Sequence, residues 1–459
     1  MKIKVSDLGA IGEGTIDLTK KINLFCGLNG TGKTYFSYVI YGLLRNKLHV
    51  KGDTELADRL IEERQITLDI DFPALLSYKK AMLRNTKSEI DTIFGLGVSV
   101  ADKLFSKFAI EDEEEEEEFQ QRMVATAMVN KTQIQGIGVQ LSKKKESAQI
   151  TLTITDESIP SEAIAGFRLL LNSYVFYTLA VYPISGVQVF PVERNSIYTF
   201  SKELSIRKQE AMDNLQLLVD KEKKINKFDL FFNSKRYPLP IKDGLMVAED
   251  LAEVKKQKSP FFEFAEDLEK ELLHGTVQIS HDGDILFKPE KAAKTSLPIQ
   301  MTASIIKTLA SLVVYLKHIA NYNDLIIIDE PEINLHPANQ ILIARLLVRL
   351  ANQGFRLLIS THSDYIVREF NNMVILSHQG NESVRKMAKK YGYKEDEYIQ
   401  PKELNVYSFA YKTKRSKQIV VNEIPVEDSG FDMKIMDEVI DRQNEISEGL
   451  YYSLKYGKI

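Results

Sequence analysis

The segment from Leu24 to Thr34, LFCGLNGTGKT, limits what this chain can fold into more than any other part of it. Gly27-Leu28-Asn29-Gly30-Thr31-Gly32-Lys33-Thr34 satisfies the pattern G-x-x-x-x-G-K-[ST] at each fixed position. The apolar run Ile22 to Cys26 precedes it and a helically spaced run, Tyr35, Phe36, Val39, Ile40, Leu43 and Leu44, follows it, so the expected unit is strand, loop, helix. Glycines let the backbone wrap closely, and the N–H groups from Gly27 through Asn29, Gly30, Thr31 and Gly32 then converge on phosphate oxygens. Lys33 adds an ammonium for the β- and γ-phosphates, Thr34 offers a hydroxyl to Mg²⁺, and Tyr35 completes the nucleotide-binding set. ATP with Mg²⁺ is the expected ligand.

A second stretch fits the same chemistry. Leu325-Ile326-Ile327-Ile328-Asp329-Glu330 reads as a buried strand ending in two acids, at the carboxyl end of a sheet where α/β folds place ligands. Asp329 is placed to hold Mg²⁺ through water together with Thr34, and Glu330 to orient and deprotonate an attacking water. After a helix at about 338–352, the strand Phe355 to Ser360 leads into Thr361-His362-Ser363. Adjacent sheet positions would set His362 beside Glu330, where an imidazole can bond a γ-phosphate. Strand and helix alternate throughout this part, which implies a largely parallel sheet covered by helices.

At 459 residues the chain exceeds one average core, so a large domain with insertions, or two domains, is expected. Its 60 basic and 64 acidic side chains nearly cancel, which gives no global pull toward nucleic acid or an anionic membrane. Cys26 is the single cysteine, so no intramolecular disulfide or cysteine zinc site is available, as suits a reducing cytoplasm. Met1 to Val5 alternates like a strand rather than a signal peptide, and no apolar run reaches the roughly 20 residues of a membrane span. A soluble cytoplasmic protein is the expectation.

Taken in order, residues 1–52 hold two strands, the P-loop strand and its helix. Residues 53–130 form a charged, helix-favouring insertion that contains the acidic run Glu111 to Glu118. Like charges at i and i+4 oppose a helix there, so the run reads as a mobile, solvated segment. Residues 131–200 return to the nucleotide domain through a hairpin with Lys143-Lys144-Lys145 at its turn, a helix at about 161–181 and the strand Gly186 to Phe190. Residues 201–275 read as a second helical insertion, and 276–376 carry the acidic strand and His362. Residues 377–459 read as an α/β extension for partner or oligomer contacts. Lysine clusters at 143–145, 221–224 and 412–417 read as solvated faces, with DNA contact as the sharper alternative.

The blocks GAIGEGTIDLTKKINLFCGLNGTGKT, DLIIIDEPEINLHPANQ and LLISTHSDYIVREF together resemble the ABC/SMC-type ATPases. The nearest likeness is to the overcoming-lysogenization-defect-like ATPase subunits of bacterial anti-phage systems such as the PARIS, AbiL, Septu and retron-associated modules. The resemblance implies an α/β ATPase head with an N-terminal antiparallel β subdomain, a largely parallel core sheet and a helical insertion. It implies that Glu332 to Pro337 joins two ATP sites across a dimer, with His336 near that interface. VFPVERNSIY stands where the family has its glutamine loop, with Glu193 and Arg194 in place of the glutamine. The signature turn becomes Met301-Thr302-Ala303-Ser304-Ile305-Ile306-Lys307, without glycine, and Ser304 is the residue matched to a γ-phosphate across the dimer.

One P-loop and one acidic strand per chain then make two half-sites, so a homodimer or higher oligomer is implied. The resemblance further implies slow, regulatory hydrolysis and a separate effector subunit, expected to be a nuclease or toxin. A phage protein or a nucleic acid is the candidate trigger, and no membrane is involved. The alternative from a different class is a RecF-like DNA-repair ATPase that clamps DNA directly.

Overall fold

The computed structural model describes residues 1–50, 54–200, 237–291, 295–413, 415–432 and 434–457. The helical reading of 201–236, and the lysines at 221–224, lie outside them. Sixteen strands are described, in chain order β1 (Lys2–Leu8), β2 (Ile11–Asp17), β3 (Ile22–Cys26), β4 (Gln65–Asp69), β5 (Ala109–Asp112), β6 (Met128–Ile134), β7 (Ile137–Lys143) and β8 (Gln149–Ile154). They continue with β9 (Val187–Phe190), β10 (Gly275–Ile279), β11 (Ile285–Pro289), β12 (Leu297–Pro298), β13 (Leu325–Asp329), β14 (Arg356–Thr361), β15 (Leu404–Tyr411) and β16 (Ile419–Ile424).

Nine of them form one mixed sheet, in the order β5-β1-β2-β16-β15-β3-β14-β13-β9. The five from β15 to β9 run parallel, while β1, β2 and β5 pair antiparallel at the other end. This is the α/β architecture expected, with the N-terminal antiparallel strands continuous with the core sheet. β3 and β13 are buried at every residue. Their unbroken apolar runs follow from helices packing on both faces of a parallel sheet. Phe25 points to one face, where its ring lies 5.7 Å from Phe36 and 4.9 Å from Phe409. Leu24 points to the other face, toward the core built on the helices Ser304–His318, Pro337–Asn352 and Asp364–Ile375.

Order along the sheet fixes the site. Because β14 lies between β3 and β13, with Thr361 opposite Cys26 and Ser360 opposite Asp329, three loops leave the same carboxyl edge side by side. They are the glycine loop, the Thr361–His362 turn and the Asp329–Glu330 turn.

Four regions differ from the expectation. β15 and β16 insert between β2 and β3, so residues 404–424 belong to the central sheet rather than to an extension. The hairpin β7–β8 exists as expected but sits in a separate antiparallel sheet, β4-β8-β7-β6. The acidic run is built into the fold: Glu111 and Asp112 lie in β5 against β1, and the helix Glu116–Ala125 begins within the run. Glu114 is buried, accepting from Arg122 and Lys79 and lying 3.3 Å from the Met1 amine. Arg122 eight residues on, with Lys79 and the Met1 amine from distant segments, offsets the self-repulsion that local reasoning weighs, so the run is not a solvated loop. Lys143 is likewise buried, its ammonium capping the carbonyls of Val124, Lys144 and Ser147. The long apolar helix Ile164–Ala180 has the length and composition of a membrane span together with the short turn before it, but half of that stretch is buried, packed against the helix Phe72–Ser88 and β6.

Candidate functional site

Gly27 leaves β3 at φ 148°, and a Cβ there would stand 2.5 Å from the Phe409 carbonyl oxygen of β15. Only glycine lets those backbones approach so closely. Gly32 caps the helix Lys33–Arg45 in the left-handed region at φ 88°. The loop's N–H groups and the positive end of a thirteen-residue helix therefore face one cavity of about 390 Å³. Its walls are the segment Asn29 to Tyr35, the β1–β2 turn at Gly9–Ala10, Leu104, Phe105 and Glu330. The Tyr35 ring is held 4.9 Å from Phe94 and 6.4 Å from Phe105, an aromatic wall contributed by the first insertion.

Lys33 spans the loop, its ammonium donating to the Gly27 and Leu28 carbonyls at 2.8 and 2.9 Å. Burial lowers its pKa, opposed by the charges of Glu330 and Asp329. Thr34 donates to Asp329 Oδ2 at 2.7 Å, although the two residues are 295 positions apart in sequence. Ser360 donates to Asp329 Oδ1. Burial raises the Asp329 carboxyl above its ordinary range, and these two hydroxyls work against that. A hydroxyl and a carboxylate side by side at the phosphate loop form an all-oxygen donor set, which suits a hard divalent cation such as Mg²⁺.

Glu330 takes φ 46°, a left-handed conformation uncommon outside glycine and asparagine. Its N–H donates to the Ser360 carbonyl at 3.0 Å. His362 follows β14, and its Nδ1 lies 3.4 Å from Glu330 Oε1 and 3.3 Å from Glu332 Oε1. The structure thus brings Lys33, Thr34, Asp329, Glu330 and His362 together within one chain. Ser304 stands apart, exposed at the first residue of the helix Ser304–His318 and outside the walls of the cavity. His336 caps the helix Pro337–Asn352, its Nδ1 accepting from the Ala338 N–H at 3.2 Å.

Three residues make contacts that the motif pattern did not show: Glu332, expected in a loop joining two sites across a dimer, Arg194, expected in place of a glutamine, and Ser360. Glu332 is buried and its Oε1 accepts from the Thr361 hydroxyl and from the His362 and Ser363 N–H groups, at 2.7, 2.8 and 3.1 Å. It fixes the turn that carries His362. Ser360 is opposite Asp329 in the ladder, a pairing that strand register alone could have shown. Arg194 is buried, and its guanidinium donates to the carbonyls of Pro191 and Asp329 through Nη1 and of Glu330 through Nη2, at 3.1, 2.8 and 2.9 Å. Burial lowers its pKa to about 10, opposed by Asp329, Glu332 and Glu330, so it stays a cation at neutral pH.

A phosphate-binding loop on a parallel strand, with an acidic strand two positions away in the same sheet, defines a P-loop nucleotide-binding protein. Residues 1–367 match the family described as AAA ATPase domain (AAA_15), and the chain belongs to that family. No curated protein matches it in sequence. Among solved structures, it is similar to an Smc head bound to the C-terminal winged-helix domain of ScpA, at 12% identity and a TM-score of 0.38 over 93% of this chain and 98% of that one. An Smc head with an extended coiled coil, bound to the C-terminal domain of ScpA and derived from Pyrococcus furiosus, aligns at 13% identity and a TM-score of 0.36, covering 95% and 98%. The SMC head domain from Thermotoga maritima aligns at 9% identity and a TM-score of 0.32, covering 93% and 98%.

Proposed function

We propose that this chain binds and slowly hydrolyses ATP, closes as a dimer around it, and uses that cycle as a switch over a separate effector, a nuclease or toxin, in anti-phage defence. The hydrogen bond from Thr34 to Asp329 carries the ATPase part, because it joins the phosphate loop to the acidic strand with Glu330 on the wall of the same cavity. Mg²⁺ held there would shield phosphate charge. The loop amides and Lys33 bind the phosphates, and the aromatic wall at Tyr35 bounds the same cavity. Glu330 takes the proton from an attacking water, and His362, fixed by Glu332, orients the γ-phosphate.

The dimer part is supported by Ser304. It is exposed, heads a helix, and lies away from its own chain's cavity, as a group that completes a partner's site would. Loss of glycine at Ile305 narrows the approach to that helix end, in keeping with slow turnover. The defence role rests on the sequence resemblance alone.

Lys33→Ala and Glu330→Gln test the reading. The first should abolish nucleotide binding. The second should bind ATP, hydrolyse it at least about a hundredfold more slowly, and accumulate as a dimer by light scattering. Wild-type turnover in Glu330→Gln removes that residue from the chemistry, and an ATP-loaded monomer removes the dimer.

A further inference from the structure

Glu330 must hold a backbone conformation that a side chain disfavours, and it does so at the residue meant to aim a water. Its peptide is clamped from two sides, the N–H by the Ser360 carbonyl and the C=O by Arg194 Nη2. Arg194 Nη1 holds the preceding carbonyl, that of Asp329. Two successive carbonyls diverge along the chain, and a planar guanidinium can donate to both at once from different nitrogens. A glutamine amide offers only one nitrogen, and a lysine ammonium is a point charge.

No carboxylate pairs with Arg194 among the described residues; its hydrogen-bond partners there are all carbonyl oxygens. Burying a cation that touches only carbonyls is costly even with the charges of Asp329, Glu332 and Glu330 nearby, so its worth lies in where it holds those carbonyls. Arg194 also opens the helix Arg194–Phe200, which packs against the helix headed by Ser304. The guanidinium therefore ties the acidic turn to the element that presents Ser304.

We propose that Arg194 is the positioning residue for Glu330: it fixes the left-handed turn that aims the carboxylate, and it couples that aim to the Ser304 helix. This rests on the reading of Glu330 as the base. Arg194→Gln should lower kcat about ten- to a hundredfold, the loss of charge-assisted hydrogen bonds, with ATP affinity within about threefold of wild type. Arg194→Lys, which keeps the charge but not the fork, should fall between the two. In the Glu330→Gln background, Arg194→Gln should cost little more, because a group that acts only through Glu330 has nothing left to position.

The outcomes separate. Wild-type turnover in Glu330→Gln refutes the base. Loss in Glu330→Gln with wild-type kcat in Arg194→Lys and Arg194→Gln refutes the positioning role alone. An Arg194→Gln that lowers ATP affinity and melting temperature together, and adds its full loss to that of Glu330→Gln, shows a structural residue and also overturns the proposal. Should Arg194→Gln not fold, Arg194→Lys decides, in the single and the double variant.

Discussion

Replacing Glu114 by glutamine should destabilise the protein far more than the same change at Glu117, three residues along the same acidic run. Glu114 is buried among four contacts: Arg122 Nε at 2.6 Å and Nη2 at 3.1 Å, Lys79 at 3.2 Å and the Met1 amine at 3.3 Å. Burial by itself would raise its carboxyl. Hydrogen bonds from Arg122 and the surrounding cations overcome that and bring the pKa from 4.5 to about 2. A drop of that size corresponds to about 3 kcal/mol in favour of the folded state. Removing one partner of a buried ion pair costs a similar amount, about 3–5 kcal/mol. The melting temperature of Glu114→Gln at pH 7 should therefore fall by roughly 3–5 °C. Exposed Glu117→Gln should stay within about 1 °C. Because the folded-state pKa is depressed, this stabilisation is complete above pH 4.5 and drains away as the pH falls toward 2. Calorimetry between pH 7 and pH 3 should show the gap between wild type and Glu114→Gln narrowing over the acid range. Burial lowers the Met1 amine to about 6, so its charge strengthens below that pH before the carboxylate is lost; equal melting temperatures for the two variants, or a gap undiminished at pH 3, would refute the placement of Glu114.

Two further perturbations probe the cavity. Thr34→Val keeps the side-chain volume but removes the donor to Asp329 Oδ2, so the Mg²⁺ concentration for half-maximal hydrolysis should rise about tenfold while folding persists. Ser304→Arg, mixed with Lys33→Ala, should form hetero-dimers with one intact composite site at most. Turnover of the mixture should depart from the average of the parents, and strictly additive rates would count against a shared site.

Much of the site was legible in the chain itself. The spacing of Gly27, Gly32, Lys33 and Thr34 encodes a backbone path that needs little help from elsewhere, because glycine freedom and a helix start are local properties. The all-apolar Leu325 to Ile328 announces a strand buried on both faces, and with it the edge on which Asp329 and Glu330 must emerge. Even the meeting of His362 with Glu330 followed from adjacent strands.

What the chain could not announce depended on charge and strand pairing between distant segments. The acidic run looks repulsive when only its neighbours are counted, and Arg122, Lys79 and the Met1 amine reverse that sum only once the fold brings them together. β15 and β16 carry no motif, yet they lie between β2 and β3 and press Phe409 onto the glycine loop. Arg194 looked like a failed glutamine in sequence. Only the tertiary structure shows its two nitrogens on the carbonyls of Asp329 and Glu330, because a guanidinium's role is set by the acceptors it reaches, and those are 135 and 136 residues away. Local backbone chemistry wrote the phosphate loop into the sequence; the placement of Asp329 and Glu330 beside it was decided by contacts that exist only in the folded chain.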